Sequence, residues 1–466
     1  MHMRNLAHIG VGNFHRSHQA EYFQQLNASN SDEQWNIVGI SLMPQDEPLL
    51  KQLEAQNFEY HLIKRAPNGV EEISEINVIQ DVIYAYKERE RAINYLAQLK
   101  TEIISFTITE GAYLYDLKSK QLNWQHPDLI YDINNLDEPK TIFGLLFNVL
   151  KERRQLHGQG VTLMSCDNVR HNGVVLKHAL IEFIMKADAE LAEWVNSQVC
   201  FPCTMVDRIT PAFSSKDQQH LMEKYGILDN VPVICETFRQ WVIEDKFRFA
   251  RPNLDQVGVI YAADVTPFED LKIKLLNGGH SSFAYLASLA QYQYVHEAVA
   301  NKDVLNFVKL YMKLDARPSL SSTPGINVDD YIETLLGRFA NVSIADTVDR
   351  LCGDGISKLS NFLMPVAKDA IESSRPLKRI AVVYASYFLY LKRAVAQSDE
   401  VMFGLYEPQA DAESLKRYSQ DPLLLLQRLG VGDEQSAFVQ LVFKSIRKIE
   451  EQGIMTVLDA EEHVHA

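Results

Sequence analysis

The sequence predicts an α/β fold for the first half of the chain and a mostly α-helical fold for the second half. Up to about residue 190, short apolar runs alternate with helix-like segments, as in parallel sheets covered by helices. From about residue 268 onwards, strand-like runs and glycines become rarer and 3.6-residue periodicity dominates. This change places a domain boundary near Asp264–Pro267 and predicts domains of residues 1–266 and 267–466.

Each predicted element of the first domain has its own sequence signal. Apolar or β-branched runs predict strands at Leu6–Val11, Trp35–Leu42, Tyr60–Lys64, Glu72–Val78, Glu102–Thr109 and Val161–Cys166. Pro67-Asn-Gly69 predicts a turn between the third and fourth of these strands. The intervening segments predict helices at residues 14–27, from Pro44 onwards, and at residues 80–99, 140–156 and 173–189.

The elements of the second domain are predicted from helical periodicity. The periodic segments are residues 281–316, 328–340, 343–352, 377–396, 420–430 and 434–452. The longest apolar run, Ile380–Leu391, is bounded by Arg379 and Lys392. A membrane-spanning helix needs about 20 apolar residues, so this shorter run predicts a buried helix.

Charge and cysteine content argue against several classes of protein. The formal net charge of −15 disfavours binding to nucleic acid or to an anionic membrane surface. The N-terminus lacks the apolar segment of a secretory signal. The five scattered cysteines fit a reducing cytoplasm, and the lone Cys200-x-x-Cys203 pair is interpreted as chance or core packing. We expect a cytoplasmic protein with a small-molecule ligand, as a monomer or weak homo-oligomer.

Gly10-Val-Gly12 joins the first predicted strand to the first predicted helix. In a Rossmann-type fold, the first glycine permits a tight turn and the second lets the backbone approach a dinucleotide pyrophosphate. His15 stands in place of the third glycine of that fingerprint. Asp46 follows the second strand, where a carboxylate accepts from the ribose 2′-hydroxyl of NAD and repels a 2′-phosphate. A helix-capping role for Asp46 is the alternative.

Four polar side chains occupy one short segment of the second domain: Glu269, Lys272, Asn277 and His280. On an α-helix, which advances about 100° per residue, they lie at about 60°, 0°, 140° and 80°, on one face. An amine base, a carboxamide donor and a proton relay on one face predict proton transfer at a carbinol or carbonyl carbon. An amphipathic helix with a solvated polar face is the alternative.

A lysine that acts as a base needs surroundings that disfavour its charge. The pKa of a free lysine is about 10.4, and burial or a nearby cation such as Arg350 would lower it. Glu269 opposes this shift when ionised, so we expect Glu269 to be mobile or turned away during proton abstraction. Gly278-Gly279 weakens a helix by about 1 kcal/mol per glycine relative to alanine. We interpret this pair as room for substrate or cofactor near the backbone.

Several motifs occur in one order along the chain. They are Gly10-x-Gly12-x-Phe14-His15-Arg16-x-His18, Thr107–Gly111, Ser165–Asn168 with Asn172-Gly173, Met205–Pro211, Cys235–Asp245, Lys272-x4-Asn277-x2-His280, and Arg338–Asn341 with Asp346–Arg350. Together they resemble the polyol-specific long-chain dehydrogenases of the mannitol dehydrogenase family, from about residue 6 to residue 395. The resemblance implies a Rossmann-type N-terminal domain, a helical C-terminal domain, an active site between them and no metal. His15, His18 and His280 form no recognisable zinc set, so surface or supporting roles are expected for them.

The resemblance also implies a role for each candidate residue. The catalytic residues would be Lys272 as general base, Asn168 and Asn277 as donors to the alkoxide, Glu269 as proton relay to solvent, and His280 as the group that orients substrate. The cofactor NAD would bind Gly10, Gly12, Phe14, Arg16, Asp46, Thr109, Glu110 and Asp207, and the substrate would bind Asp207, Arg350 and Lys358. Gly353 replaces a histidine of the family between Arg350 and Lys358, so the substrate preference stays open.

The implied activity is the NAD-dependent oxidation of D-mannitol to D-fructose. Alternatives within the family are D-arabinitol 4-dehydrogenation and the reduction of hexuronates such as fructuronate, whose negative charge favours more positive surroundings at Arg350 and Lys358. The Arg338–Pro365 stretch is more similar to the polyol-oxidising members. A non-catalytic NAD-binding regulator and a zinc-dependent dehydrogenase are further alternatives. The intact Lys272 and Asn277 argue against the regulator.

Overall fold

Apolar and β-branched runs form strands in the first half of the chain, and helices dominate the second half. The computed structural model describes residues 2–29, 33–116, 119–398, 401–431 and 436–462. The chain divides into two compact units, one formed by Met1–Arg65 and Val70–Thr266, the other by Ala66–Gly69 and Pro267–Ala466.

Short strands alternate with helices in the first unit. The strands are β1 (His2–Ile9), β2 (Glu33–Ser41), β3 (Tyr60–Arg65), β4 (Glu71–Ile76), β5 (Ile79–Tyr84), β6 (Thr101–Phe106), β7 (Tyr115–Asp116), β8 (Gln121–Leu122), β9 (Thr162–Ser165), β10 (Thr204–Asp207), β11 (Val233–Glu236), β12 (Gln240–Glu244) and β13 (Ile260–Ala262). The helices are α1 (Asn13–Ser17), α2 (Gln19–Ala28), α3 (Glu47–Ala55), α4 (Arg89–Ala97), α5 (Pro127–Asn134), α6 (Ile142–His157), α7 (Asn172–Ala187), α8 (Ala189–Gln198) and α9 (Ser215–Tyr225).

The first unit is built on a parallel sheet with the strand order β5-β2-β1-β6-β9. Side chains of β1 alternate between two cores. Leu6 belongs to the core that contains Phe23 and Trp35, whereas Ala7 and Ile9 belong to the other. Burial of both faces is the normal environment of a parallel sheet covered by helices. The strand order reverses between β1 and β6, and such folds bind ligands in the crevice at the carboxyl ends of those strands.

Two smaller sheets and a short hairpin belong to the same unit. In the sheet β11-β3-β4, the strands β3 and β4 form the antiparallel pair predicted on either side of Pro67-Asn-Gly69. The sheet β10-β12-β13 lies in a region for which the sequence predicts no element. Its strands have only three to five residues, too few for a period of two to stand out.

The predicted helix at residues 80–99 is wrong in its first part. Residues Ile79–Tyr84 form β5, and α4 begins only at Arg89. Ile79 and Ile83 are four residues apart, a spacing typical of one helix face. In β5, an irregularity in the register after Ile79 places these isoleucines in different cores, on opposite faces of the sheet.

The second unit is mostly helical. Its helices are α10 (Thr266–Leu271), α11 (Gly278–Leu289), α12 (Val295–Ala300), α13 (Lys302–Leu310), α14 (Val328–Phe339), α15 (Val348–Cys352), α16 (Gly355–Lys358), α17 (Met364–Glu372), α18 (Lys378–Gln397), α19 (Ala412–Gln420), α20 (Pro422–Arg428), α21 (Ala437–Gln452) and α22 (Ile454–Glu462). Wider π-helical turns occupy Lys272–Asn277, Tyr311–Ala316 and Leu359–Leu363.

Two predictions for this unit have different outcomes. The predicted continuous segment 281–316 is broken, because the chain turns at residues 290–294, where Gln291 adopts φ +64°. The apolar run Ile380–Leu391 lies within α18 and is largely buried, as predicted. Among the described residues, no helix has the length and apolar character needed to cross a membrane.

Candidate functional site

The loop Gly10–Gly12 connects β1 to α1 at the carboxyl edge of the parallel sheet. Gly10 adopts φ +99°, and a Cβ atom there would lie 2.1 Å from the backbone oxygen of Thr107. Glycine is therefore required at this position. The Gly10 amide donates to the Ile40 carbonyl at 2.9 Å, and the Thr107 hydroxyl donates to the Gly10 carbonyl at 2.8 Å. These bonds tie the loop to the strands on both sides of β1.

Gly12 presents open backbone at the start of α1. A Cβ atom placed on Gly12 would meet no atom within 4 Å, and no side chain caps α1 at this residue. A phosphate can approach bare backbone of this kind, next to the amide groups at a helix start. The loop thus fits the pyrophosphate of a dinucleotide.

His15, which replaces the third glycine, is buried and stacks on His8 with ring centroids 3.4 Å apart. Burial lowers the pKa of His15 well below its usual value, and it lowers the pKa of His8 and His18 to about 3. These imidazoles are therefore neutral at physiological pH. A surface role for His15 and His18 is wrong, because both lie in the interior.

Phe14 and Arg16 lie on α1. The Phe14 ring stacks on His18 at 5.0 Å. The guanidinium of Arg16 is buried, donates to the Val231 carbonyl and to the Asn13 side chain, and lies over the ring of Tyr60. The observed contacts of Arg16 therefore hold α1 in place.

Asp46 lies after β2, in the 3₁₀ turn Pro44–Asp46. Its carboxylate accepts from the Ser41 hydroxyl at 2.5 Å and is partly exposed. Asp46 directly precedes α3, but its side chain makes no capping hydrogen bond to that helix. This geometry disfavours the helix-capping alternative.

The loop after β6 carries Thr109 and Glu110, which are both exposed. Thr109 adopts φ +71° although it is not a glycine, and such strain is common at functional sites. Its amide donates to Asp167 at 2.8 Å, and the Tyr113 hydroxyl donates to the other oxygen of the same carboxylate at 2.7 Å. Burial raises the pKa of Asp167 to about 6. The sequence predicts no role for Asp167, although it lies within the Ser165–Asn168 motif.

Asn168 and Asp207 lie near the ends of two other strands of the first unit, β9 and β10. Asn168 is exposed, three residues beyond the end of β9. Asp207 is buried at the end of β10, in register with Gln240 of β12.

Glu269, Lys272, Asn277 and His280 lie on one continuous helix, Thr266–Leu289, made of α10, a π-helical segment and α11. Glu269 and Lys272 are buried, whereas Asn277 is partly exposed. The assumption of α-helical geometry is wrong for Lys272–Asn277, which is π-helical. A π turn closes between residues five apart, so it advances less than 100° per residue. Lys272 and Asn277 are therefore separated by less than the predicted angle of about 140°.

The space next to Gly278-Gly279 is already filled. A Cβ atom on Gly278 would lie 2.4 Å from Tyr311 Oη, and one on Gly279 would lie 2.5 Å from Met312 Cε. The helix also continues through both glycines without a break. The interpretation of this pair as room for a ligand is therefore wrong, and close packing between helices explains it.

The ring of His280 stacks on Phe339 with centroids 4.1 Å apart. Burial lowers the pKa of His280 well below its usual value, and the positive charges of Arg350, Arg338 and Lys358 act in the same direction. The imidazole is therefore neutral and offers one donor and one acceptor.

Arg350 and Lys358, the predicted substrate contacts, flank Gly353. The Arg350 guanidinium bonds both carboxylate oxygens of Asp346, at 2.6 and 2.5 Å. The Lys358 amine donates to the Leu351 carbonyl at 3.0 Å, and burial together with the charge of Arg350 lowers the pKa of Lys358. Arg350 and Lys358 therefore offer several hydrogen-bond donors, and the Asp346 carboxylate compensates the charge of Arg350.

The cysteine pair forms no recognised centre. Cys203 is buried, Cys200 is partly buried, and both are free thiols. Within the described ranges, no group of three or more His, Cys, Asp or Glu residues could hold a metal ion.

Both units match domains of one enzyme family. Residues 4–256 match the mannitol dehydrogenase Rossmann domain, and residues 264–425 match the mannitol dehydrogenase C-terminal domain. The chain therefore belongs to the mannitol dehydrogenase family, whose members are NAD-dependent oxidoreductases acting on CH–OH groups. The predicted family and the predicted fold class, an α/β Rossmann-type domain followed by a mostly α-helical domain, are confirmed.

Individual relatives share nearly the whole chain. Mannitol 2-dehydrogenase of Aspergillus fumigatus is 37% identical, over 97% of this chain and 92% of the relative. The solved structure of Pseudomonas fluorescens mannitol 2-dehydrogenase, in ternary complex with NAD and D-mannitol, is 36% identical with a TM-score of 0.87, over 99% of this chain and 94% of that chain. A substrate-free D-sorbitol dehydrogenase is 31% identical with a TM-score of 0.85, over 97% of this chain and 96% of that chain.

Proposed function

We propose that this chain oxidises D-mannitol to D-fructose with NAD as cofactor. The observation that carries the proposal is similarity over 99% of the chain to a mannitol 2-dehydrogenase solved with NAD and D-mannitol. The bidentate Asp346–Arg350 pair supports an uncharged polyol over a hexuronate, because it compensates the charge of Arg350.

The substrate preference is tested with a panel of D-mannitol, D-sorbitol, D-arabinitol, D-fructose and fructuronate, read at 340 nm with both nicotinamide cofactors. A higher kcat/KM for any substrate other than the mannitol–fructose pair would contradict the proposal.

NAD, when bound, accepts the hydride from the alcohol carbon. The open backbone at Gly12 would hold its pyrophosphate, and Gly10 would make the tight turn that brings the loop to the phosphates. Asp46 would accept from the ribose hydroxyl and repel a 2′-phosphate. The other residues proposed to line the cofactor are Phe14, Arg16, Thr109, Glu110 and Asp207.

Lys272 is proposed to remove the hydroxyl proton of the alcohol. Lys272 is a buried residue, and the same helical turn carries Asn277. Asn277 and Asn168 would donate to the developing alkoxide, and one such donor is typically worth about 3 kcal/mol. Glu269 would then pass the proton from Lys272 to solvent.

The neutral imidazole of His280 is proposed to orient the polyol by a hydrogen bond, since it carries no charge to compete with proton removal. Arg350, Lys358 and Asp207 would bind further hydroxyl groups. Hydroxyl-rich substrates are recognised by several such polar groups, each of which fixes one hydroxyl.

Replacing Lys272 with alanine tests the proposed base. We expect kcat for D-mannitol to fall by about 10³-fold, the usual scale of a lost general base. NADH affinity, measured by fluorescence titration, should change less than threefold. Lys274→Met is the matched control, because Lys274 lies in the same turn and bonds the Ser319 carbonyl. Turnover retained in Lys272→Ala would exclude this residue as the base.

Replacing Asp46 with alanine tests cofactor choice. Loss of the carboxylate removes the repulsion of a 2′-phosphate, so the ratio of kcat/KM for NAD to that for NADP should fall at least tenfold, about 1.4 kcal/mol. Glu47→Ala is the control, because Glu47 pairs instead with Lys51 and Lys87. An unchanged ratio in Asp46→Ala would remove Asp46 from this role.

Replacing Gly12 with alanine tests the cradle for the pyrophosphate. An added methyl group meets no protein atom and the backbone is extended there, so the unfolding temperature should not change. The Kd for NADH should rise at least tenfold, because the methyl group occupies the space of the phosphate. Gly10→Ala should lower the unfolding temperature as well, because its Cβ collides with Thr107. Full NADH affinity in Gly12→Ala would contradict the proposed cradle.

A further inference from the structure

We infer that Tyr311 is a positioning residue that fixes the helical turn carrying Lys272 and Asn277. The inference rests on the proposed function, which assigns Lys272 as the base and Asn277 as an alkoxide donor. Tyr311 is fully buried and begins its own π-helical segment, Tyr311–Ala316. Its hydroxyl donates to the backbone carbonyl of Lys274, inside the turn Lys272–Asn277, at 3.1 Å.

The π turn determines where the two proposed catalytic side chains point. A π turn inserts one residue into a helix, appears mostly as a single turn within an α-helix, and is frequent at functional sites. Without the insertion, Asn277 would rotate away from Lys272 toward the α-helical separation of about 140°. Proton transfer and alkoxide binding require both groups to meet the same carbinol, and misplacement by about 1 Å can cost about 10²-fold in rate. A bond that stabilises this turn therefore acts on the chemical step.

The Tyr311 hydroxyl fits because position 278 has no side chain. A Cβ atom on Gly278 would lie 2.4 Å from Tyr311 Oη, and the next residue repeats the pattern with Met312 over Gly279. Two adjacent side chains thus pack onto two adjacent glycines. Any methyl group at position 278 must displace either the hydroxyl of Tyr311 or the turn that it bonds.

Tyr311 acts as a fixed donor and not as a proton relay. Burial raises the pKa of Tyr311 well above its usual value, and the nearby Asp315 carboxylate acts in the same direction. Asp315 is itself held by the Arg379 guanidinium at 2.6 Å. The hydroxyl therefore stays protonated and keeps donating to Lys274 throughout the pH range of an assay.

A double-mutant cycle with Tyr311→Phe and Gly278→Ala tests this role. Tyr311→Phe should lower kcat for D-mannitol about tenfold, leave the Kd for NADH within twofold, and increase the primary isotope effect with D-mannitol deuterated at C2. Gly278→Ala should do the same, because its methyl group displaces the hydroxyl. In the double variant the oxygen atom that collides is absent, so kcat should match Tyr311→Phe within threefold instead of falling further.

Two controls separate positioning from general loss of stability. Tyr261→Phe removes another tyrosine hydroxyl that donates to a backbone carbonyl, that of Pro252 at 2.6 Å. Gly337→Ala adds a methyl group to an exposed helical glycine that has no atom within 4 Å of its Cβ position. Both controls should keep the wild-type kcat and isotope effect.

The outcomes distinguish this inference from the proposed function. A wild-type protein that does not oxidise D-mannitol, or a Lys272→Ala variant with full turnover, overturns both. An active wild type with unchanged kcat and isotope effect in Tyr311→Phe overturns the positioning role alone. Additive losses in the double variant likewise overturn it, because they show that Gly278 and Tyr311 act independently. If Tyr311→Phe does not fold, the kcat and isotope effect of Gly278→Ala test the positioning role instead, and unchanged values overturn it.

Discussion

Two backbone positions that cannot carry a Cβ atom, Gly10 and Gly278, constrain the two halves of the proposed catalytic machinery. At Gly10, a Cβ atom would lie 2.1 Å from the Thr107 carbonyl oxygen, so only glycine lets the end of β1 and the segment after β6 approach at the reversal of strand order. At Gly278, the same absence admits the hydroxyl of Tyr311 beside the turn that carries Lys272. In both places a missing methyl group allows a hydrogen bond to a main-chain carbonyl.

The histidines near both sets of proposed site residues are neutral. Burial keeps His8, His15 and His18 neutral, on either side of the Gly10–Gly12 loop in the sequence. In the second unit, His280 is neutral as well. Neutral imidazoles hydrogen-bond without attracting counterions, which suits an uncharged polyol and leaves the removal of one proton as the main electrostatic event.

Most of the fold and of the candidate site could be predicted from the order of the motifs along the chain. The Gly10-x-Gly12 and Lys272-x4-Asn277-x2-His280 spacings are fixed by backbone chemistry close in sequence, so they are visible without a structure. The parallel sheet could be predicted for the same reason, since β1, β2 and β6 are apolar runs that end in turn residues. The helix predicted over residues 80–99 failed where Ile79 and Ile83 imitate a helix face, because a register irregularity in a strand has no signature in one sequence.

The sequence by itself determined the family, the two fold classes and the residue types at the proposed site, because these depend on local patterns and on motifs in order. The tertiary structure alone decided the π turn at Lys272–Asn277, the burial of His15 and the use of Gly278-Gly279 for packing. The glycine pair and the π turn depend on Tyr311 and Met312, which contact this helix from another part of the chain. The burial of His15 depends on the folded interior that surrounds it. Contacts between distant residues leave no periodic trace, so only the folded chain shows that the glycine pair seats Tyr311 and Met312 and leaves no gap there for a ligand.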